Sequence, residues 1–402
     1  MTTEDLKTSS PRGGLMLILG TVTGIQALAS LAVLALATVA PVASASFGIG
    51  AEMIGYQVSL MYIAASSTSA VGGTLVRRWG AGTVSQVTLL VGIVGVLGVA
   101  SANLVLLVIG SLLIGIAYGL PNPAASHLLF KATPSHLRNF VFSLKQTGVP
   151  IGGILAGLLL PAVTVLAGWQ AAMITTAALL GLLAIAMIPL RARWDTDRDP
   201  SARISGSLLD GILLIWRLRA LRGLAIMGFC FAALQLSLLT FVITMLVKDL
   251  GWSLVLAGGV VAIMQVFGAG GRIVWGVVAD RLGNGRYVLG IIGLLSCVAT
   301  LVTAMLAPYW PIWAVAALLC FFGICSIGWN GVFLAEVARL ANRNEVGTAT
   351  GGALSLTFLG VVLAPSLFST VYPLTGAYTT TFALMTIFPA IGTIALIVFR
   401  PR

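Results

Sequence analysis

The chain alternates between long apolar runs and short polar connections. Twelve runs contain about 20 residues or more, and at about 1.5 Å per residue a helix of that length crosses the roughly 30 Å hydrocarbon core of a bilayer. Prolines interrupt several runs, which membrane helices tolerate because neighbouring helices satisfy the freed backbone groups. The pattern predicts twelve membrane-spanning helices, near residues 15–38, 52–76, 82–101, 104–128, 139–165, 169–190, 221–247, 253–279, 287–307, 310–337, 347–371 and 376–399.

The polar connections fall into two sets that differ in charge. The segments on the side of the N-terminus hold 19 of the 22 Lys and Arg residues, whereas the connections on the opposite side hold only Lys248. The remaining two, Lys145 and Arg272, lie inside spans. Because Lys and Arg accumulate in cytoplasmic connections, this distribution predicts a multi-pass protein of the cell inner (plasma) membrane with both termini in the cytoplasm.

Composition excludes a soluble domain. Hydrophobic residues make up 59% of the 402 residues and charged residues only 8%, whereas soluble domains carry roughly 25% charged residues. A chain this apolar cannot cover itself with polar surface, so its surroundings are a lipid bilayer. The net charge of +11 does not indicate a nucleic-acid partner, because the basic residues lie between the apolar runs and form no continuous patch.

The one long polar connection lies almost at the middle of the chain. It covers residues 191–220, with six predicted spans before it and six after it. The sequence therefore predicts an N-terminal six-helix bundle at 1–190, a cytoplasmic linker at 191–220 and a C-terminal six-helix bundle at 221–402.

The two halves repeat each other in sequence. The segment Gly73–Gly80 follows the second span and Gly276–Gly283 follows the eighth, 203 residues later, and both end in Arg-x-Gly. A second block repeats with a spacing of 208 residues. It pairs Gly115, Asn122 and Gly152 with Gly323, Asn330 and Gly360. Parallel repeats of six spans are typical of two-lobed transporters with the binding site between the lobes.

The second copy of the first block reads Gly-x-x-x-Asp280-Arg281-x-Gly. Together with twelve spans and a basic central linker, it resembles the signature of the major facilitator superfamily. That resemblance implies an all-α membrane fold of two pseudo-symmetric six-helix bundles, rocker-switch alternating access, and a cavity lined by the first, second, fourth and fifth helices of each half. Asp280 and Arg281, with Arg78 in the first copy, are the predicted gating residues. Arg77 replaces the acidic residue of the first copy, and a plain stop-transfer signal is the alternative interpretation of these charges.

Two cations lie inside predicted spans, and they narrow the range of possible substrates. Lys145 follows the start of the fifth span by about two turns, and Arg272 precedes Asp280 by about two turns, so both are expected at similar depth. Either could extend to the membrane surface along its aliphatic stem. No carboxylate is expected at their depth, and buried charge needs a partner. A mobile anion between Lys145 and Arg272 is the predicted counter-ion.

The surroundings of Arg272 resemble one branch of that superfamily. Gly271-Arg272, with Gly276 four residues after the arginine, is similar to the eighth helix of the monocarboxylate transporters and the oxalate:formate antiporters. The resemblance implies that Arg272 binds a substrate carboxylate, which a guanidinium can hold through two parallel hydrogen bonds. Gly268 stands where the animal monocarboxylate carriers have an acidic residue, and the lysine here, Lys145, is on the fifth helix and not on the eleventh as in the oxalate carriers.

Further polar residues at helical spacing are candidates for the cavity wall. Each of them could instead form a hydrogen bond between helices, which contributes about 0.6 kcal/mol on average in membranes. The predicted substrate-binding residues besides Arg272 and Lys145 are Gln26, Tyr62, Tyr118, Asn122, Gln265 and Asn330.

These features predict a secondary active transporter that moves a small organic anion, with a monocarboxylate as the preferred candidate. The alternatives are efflux of drugs or other small molecules, and transport of an inorganic anion. The coupling partner is a proton or a counter-anion, and uniport is a third alternative. We find no catalytic triad or metal-ligand cluster in the sequence, so we expect no enzymatic activity and no cofactor. A monomer is expected.

Overall fold

A computed structural model describes residues 11–134, 137–201, 209–341 and 346–400. Eight of the spans are single helices, and four consist of two helices that meet at one residue. The single helices are Pro11–Ala43, Ile54–Trp79, Ala81–Ala100, Trp169–Ala186, Arg219–Lys248, Leu254–Leu282, Gly285–Thr303 and Val346–Thr375. The divided spans, the fourth, fifth, tenth and twelfth, are Leu104–Gly119 with Pro121–Ala132, Arg138–Gln146 with Gly148–Ala167, Ile312–Gly328 with Asn330–Leu340, and Tyr378–Met385 with Ile387–Val398.

The fourth and tenth spans break at corresponding places. The fourth breaks at Leu120, because Pro121 lacks the backbone N–H that would continue the hydrogen bonds of the preceding helix. The tenth breaks at Trp329, with no proline involved. In both spans the helix resumes with an asparagine in its first two residues, Asn122 and Asn330. The breaks therefore lie next to polar side chains that the sequence repeat relates.

Eleven helices of the described residues are long and apolar enough to cross a membrane. The second span, Ile54–Trp79, does not reach the hydropathy of the others, because it carries polar residues along its length and ends with Arg77 and Arg78. Its 26 residues still extend for about 39 Å. Gln57 and Ser59 are buried, so these two polar side chains face protein.

Three aspartates hold the linker against the first half. Asp195 accepts hydrogen bonds at the start of the third span, Asp197 pairs with the fourth span, and the backbone N–H of Asp199 donates to the carbonyl of Arg77 at 2.8 Å. The hydrogen bond from Lys131 is the main cause that lowers the pKa of Asp197. Two short helices, Ile188–Trp194 and Leu209–Arg217, complete the linker. We call this end of the bundle the linker end and the opposite end the far end.

The two halves are packed tightly at the far end. Gly157 of the fifth span and Gly258 of the eighth lie so close that a Cβ on either one would be 2.6 Å or less from the other's carbonyl oxygen. Within the described residues, three hydrogen bonds join the halves, all at the far end. Two are between the second and eleventh spans, Tyr56 to Thr370 (2.8 Å) and Ser366 to Ser59 (2.7 Å). In the third, Ser369 of the eleventh span donates to the carbonyl of Glu52 (2.5 Å), just before the second span. The cavity between the halves is therefore closed at its far end.

Candidate functional site

A small cavity lies between the two halves at the middle of the spans. The space open to the centres of water molecules is about 30 Å³, which holds about two waters. Seven spans contribute to its wall: the first, second, fourth and fifth of the first half, and the seventh, eighth and tenth. The lining residues are Ser30, Val33, Leu34, Tyr62, Tyr118, Val149, Pro150, Gln235, Leu236, Leu239, Gln265, Arg272 and Ile327.

Arg272 supplies the only cation among the residues that line this cavity. Its Nε donates to the carbonyl oxygen of Ile327 at 3.3 Å, which fixes the start of the guanidinium against the tenth span. Close packing of the two spans makes this contact feasible, because a Cβ on Gly271 would lie 2.7 Å from the carbonyl oxygen of Ile324. No carboxylate lines the cavity within the described part of the chain. Within the described residues, the one hydrogen bond found for the guanidinium is this contact of Nε.

Three more of the predicted substrate-binding residues line the same cavity. Tyr62 and Tyr118 pack edge to face, with ring centroids 5.5 Å apart and an interplanar angle of 71°. The amide of Gln265 lies against Gly153 of the fifth span, where a Cβ would come within 1.9 Å of its Nε2. Phenol and amide groups can both donate hydrogen bonds. The polar part of the wall is therefore able to surround an acceptor-rich ligand.

Lys145 lies outside this cavity. Its side chain is 3% exposed, and its ammonium donates to Gln26 Oε1 at 2.9 Å and to Asn122 Oδ1. These contacts join the first, fourth and fifth spans. Of the described residues, none of these three is part of the cavity wall. The structure thus brings together Arg272, Tyr62, Tyr118 and Gln265, and separately Lys145, Gln26 and Asn122. The predicted pair of cations in one cavity is not found in this conformation.

Gln235 was missed by sequence reasoning and belongs to the cavity wall. Its Oε1 accepts a hydrogen bond from Trp329 Nε1 at 3.0 Å and another from Asn330 Nδ2 at 3.3 Å. Asn330, a predicted substrate-binding residue, therefore contacts a lining residue and does not itself line the cavity. The available signal was the repeat: Gln235 follows Gln26 by 209 residues, close to the spacing of 208 that relates Asn330 to Asn122.

The predicted gating residues are exposed at the linker end. Asp280 and Arg281 end the eighth span just before Gly283, whose φ of +60° is the left-handed conformation common after a helix. Arg78 lies on the surface beside Arg198 of the linker. Among the described residues, the ion pairs within 4.0 Å involve none of the three. Their gating role stays a prediction, because the contacts that it requires would form only when the cavity is closed at the linker end.

Buried acidic charge occurs away from the cavity. Glu336 of the tenth span is 5% exposed, pairs with Arg339 at 2.7 Å, and accepts a hydrogen bond from the backbone N–H of Gly285 at 3.1 Å. It is thereby committed to the linker end of the second half. Its charge does not neutralise Arg272.

The fold and the central cavity define a membrane transport protein of two six-span halves. The family model of the Major Facilitator Superfamily matches residues 22–365, and the chain belongs to this family of transporters, which are not enzymes. The predicted all-helical membrane fold is confirmed. The more specific resemblance to the monocarboxylate and oxalate:formate branches is not established by these matches.

Two curated relatives come from Mycobacterium tuberculosis. They are the uncharacterized MFS-type transporters MT3072 of strain CDC 1551 / Oshkosh and Rv2994 of strain ATCC 25618 / H37Rv. Each is 26% identical over 289 residues, which is 68% of this chain and 60% of the relative. The match thus spans about three fifths of the length of these relatives.

Solved transporter structures share the fold. A mutant of the nucleoside transporter NupG superposes with a TM-score of 0.77 at 17% identity, covering 96% of this chain and 100% of that chain. A bacterial homologue of the human lysosomal transporter Spinster, in an inward-facing and occupied conformation, gives 0.73 at 16% identity, covering 97% of both chains. The D-xylose-proton symporter gives 0.69 at 15% identity, covering 97% of this chain and 98% of that one. At these identities the likeness concerns the fold alone.

Proposed function

We propose that this protein is a secondary transporter of a small organic anion, with a monocarboxylate as the preferred substrate, and that Arg272 binds its carboxylate. The observation that supports this most is a guanidinium in the wall of the central cavity, with no lining carboxylate among the described residues. Arginine remains charged in proteins. Leaving a buried charge without its partner costs about 3–5 kcal/mol, so the anion is the group that compensates Arg272.

The remainder of the wall favours an organic anion over an inorganic one. Besides the polar side chains, it contains aliphatic side chains from the first, fifth and seventh spans: Val33, Leu34, Val149, Leu236 and Leu239. Apolar groups do not replace the water around a fully hydrated inorganic ion. They are suited to the hydrocarbon part of a substrate whose charged end lies at Arg272. A cationic drug is disfavoured because it would meet the positive charge of Arg272.

Transport requires the cavity to open and close at alternate ends. The present cavity holds about two waters, and the far end is closed by glycine contacts and hydrogen bonds between the halves. Entry or release in this state would therefore take place from the linker end. The excess of Lys and Arg on that side assigns it to the cytoplasm in our proposal. Anion exchange is the coupling that we favour, because the cavity wall described here offers no carboxylate to carry a proton.

Replacement of Arg272 tests the proposal directly. Purified protein is reconstituted into vesicles, and counterflow is measured for acetate, butyrate and benzoate. Arg272→Gln should reduce the rate of counterflow at least about 100-fold, since it removes both the charge and the bidentate hydrogen bonds to the carboxylate. Arg272→Lys keeps the charge and should retain a fraction of the rate, about one tenth. Arg193→Gln is the matched control, because Arg193 is exposed on the linker.

The same vesicles distinguish the alternatives. Uptake of nitrate or sulfate but of none of the carboxylates would favour an inorganic anion. Transport of a lipophilic cation that survives Arg272→Gln would favour drug efflux. Carboxylate counterflow at the wild-type rate in Arg272→Gln would refute the assignment of Arg272.

A further inference from the structure

Each half of the protein contains a glutamine–asparagine pair at the same place. In the first half Gln26 of the first span lies near Asn122 of the fourth. In the second half Gln235 of the seventh span contacts Asn330 of the tenth. The glutamines are 209 residues apart and the asparagines 208. The two pairs thus occupy related positions in the two repeats.

The third member of each group differs. In the first half the Lys145 ammonium donates to the side-chain oxygens of both amides. In the second half the indole of Trp329, which is fully buried, donates to Gln235 Oε1. Trp329 is itself fixed by aromatic neighbours, with Phe231 at 5.8 Å and Phe333 at 5.3 Å between ring centroids. Its N–H direction is therefore set by packing.

This arrangement determines which end of the Gln235 amide faces the cavity. The indole N–H can only donate, so the atom that it meets must be the oxygen of Gln235 and not the nitrogen. Asn330 Nδ2 donates to the same oxygen and occupies its second acceptor position. Gln235 lines the cavity beside Arg272. Its NH₂ group, with two donors, is the part left to face the ligand.

The related glutamine of the first half is arranged differently. Gln26 Nε2 is buried without a hydrogen-bond partner, and Gln26 is not among the described residues that line the cavity. Lys145 holds its oxygen at 2.9 Å. The members of the first pair thus contact Lys145 within their own half, whereas Gln235 of the second pair lines the space between the halves.

We propose that Gln235 is a substrate-binding residue that donates a hydrogen bond from Nε2 to the anion held by Arg272, and that Trp329 and Asn330 are positioning residues that fix the direction of this amide. This inference rests on the proposed anion transport and deepens it. It also gives Asn330 a role that differs from direct contact with substrate. A hydrogen bond to a charged group is strong enough that its loss is measurable in the dissociation constant.

Gln235→Glu is the most informative variant. It keeps an oxygen for Trp329 and Asn330 but replaces the donor by a carboxylate oxygen beside Arg272. The added charge would compensate the guanidinium in place of the substrate, so Kd should rise by about 10-fold to 100-fold. Binding is measured as the thermal stabilisation of purified protein by acetate, butyrate and benzoate, which increases with [L]/Kd. Gln170→Glu makes the same chemical change at an exposed position and serves as the control.

Trp329→Phe tests the positioning role. It keeps an aromatic ring but removes the indole N–H, so Gln235 is free to turn its oxygen toward the cavity. We expect the KM of counterflow to rise about 3-fold to 10-fold with little change in the maximal rate, and the melting temperature to fall as well, because the smaller ring leaves a cavity at a fully buried position. In the double variant with Gln235→Leu, Trp329→Phe should add little further effect. If the tryptophan were purely structural, the effect of Trp329→Phe on KM would instead add to that of Gln235→Leu.

The outcomes separate this inference from the proposed function. If none of the three carboxylates stabilises the wild-type protein, the proposed function fails and this inference fails with it. If stabilisation depends on Arg272 but Gln235→Glu and Gln235→Leu bind as the wild-type protein does, only the role of Gln235 is overturned. Weakened binding in the Gln235 variants with additive effects of Trp329→Phe would overturn the positioning role alone.

Discussion

The start of the third span depends on a carboxylate from the linker, and this contact leads to a quantitative prediction. Asp195 accepts hydrogen bonds from the backbone N–H groups of Gly82 (2.6 Å) and Thr83 (2.9 Å) and from Thr83 Oγ1 (2.6 Å). The preceding Gly80 has φ of +93°, and a Cβ there would lie 2.3 Å from the Asp195 carboxylate. The tight turn into the third span therefore requires both a glycine and this carboxylate.

The perturbation is Asp195→Asn. The amide keeps one acceptor oxygen, but its NH₂ group faces an N–H donor, so at least one hydrogen bond to a charged group is lost. Such a bond contributes about 1.5–3 kcal/mol, which includes the attraction of about 0.3–1 kcal/mol between an anion and a helix N-terminus. Because the contact is only part-buried, we expect about 2 kcal/mol. In a domain of about 150–250 residues, such as one half of this protein, a loss of 1 kcal/mol lowers the melting temperature by about 2–4 °C. The melting temperature should therefore fall by roughly 4–8 °C.

The assay is thermal unfolding of purified protein in detergent, followed by tryptophan fluorescence. Asp199→Asn is the matched control, because Asp199 is an exposed linker carboxylate 3.9 Å from Arg77. Exposed ion pairs contribute little, so we expect almost no shift for the control. Equal shifts for the two variants would refute the reasoning, since they would attribute the effect to the charge of the linker and not to the capped helix.

Two further predictions follow from the contacts described above. Lys145→Met leaves the oxygens of Gln26 and Asn122 without a donor, so the melting temperature should fall by several degrees, while ligand stabilisation should weaken less than in Arg272→Gln. Asp197 has a lowered pKa through its bond to Lys131; its stabilising effect is present above about pH 4 and is lost as the pH falls through that lowered value. Proteolysis of the linker should therefore accelerate below pH 4. Asp197→Asn should weaken this dependence, and the part due to Asp199, whose pKa is also lowered by its hydrogen bonds from Ser201, should remain.

The sequence predicted the helices and the cavity position of Arg272 for physical reasons. Apolar runs longer than a bilayer is thick have few alternatives to spanning helices. A guanidinium at membrane depth cannot face lipid without a large cost, so it faces protein or a cavity. The second span was also predicted, although its polar side chains lower its hydropathy. These predictions needed only the depth of a residue along its own helix.

The partners of Lys145, Gln235 and Asp195 could not be predicted in the same way. Depth in the membrane does not give the direction of a side chain, and neutral amides as partners of a buried ammonium have no sequence signature of their own. Asp195 contacts residues 112 and 113 positions earlier in the chain. Only the repeat held usable information, because Gln26 and Gln235 follow nearly the same spacing as the two asparagines.

The differences between the repeats imply that the two halves contribute differently to substrate binding. Glu336 caps the third helix of the second half through Gly285, which follows Gly82 by 203 residues, whereas the first half takes its cap from the linker. Arg272, Gln235 and Gln265 all belong to the second half, while the first half contributes Ser30, Tyr62 and Tyr118 to the polar wall. A substrate held by the second half would keep its strongest contacts when the halves rock. The contacts to the first half are then the ones that must break. Hydrogen bonds from neutral hydroxyl groups are easier to break than an ion pair with a second cation would be.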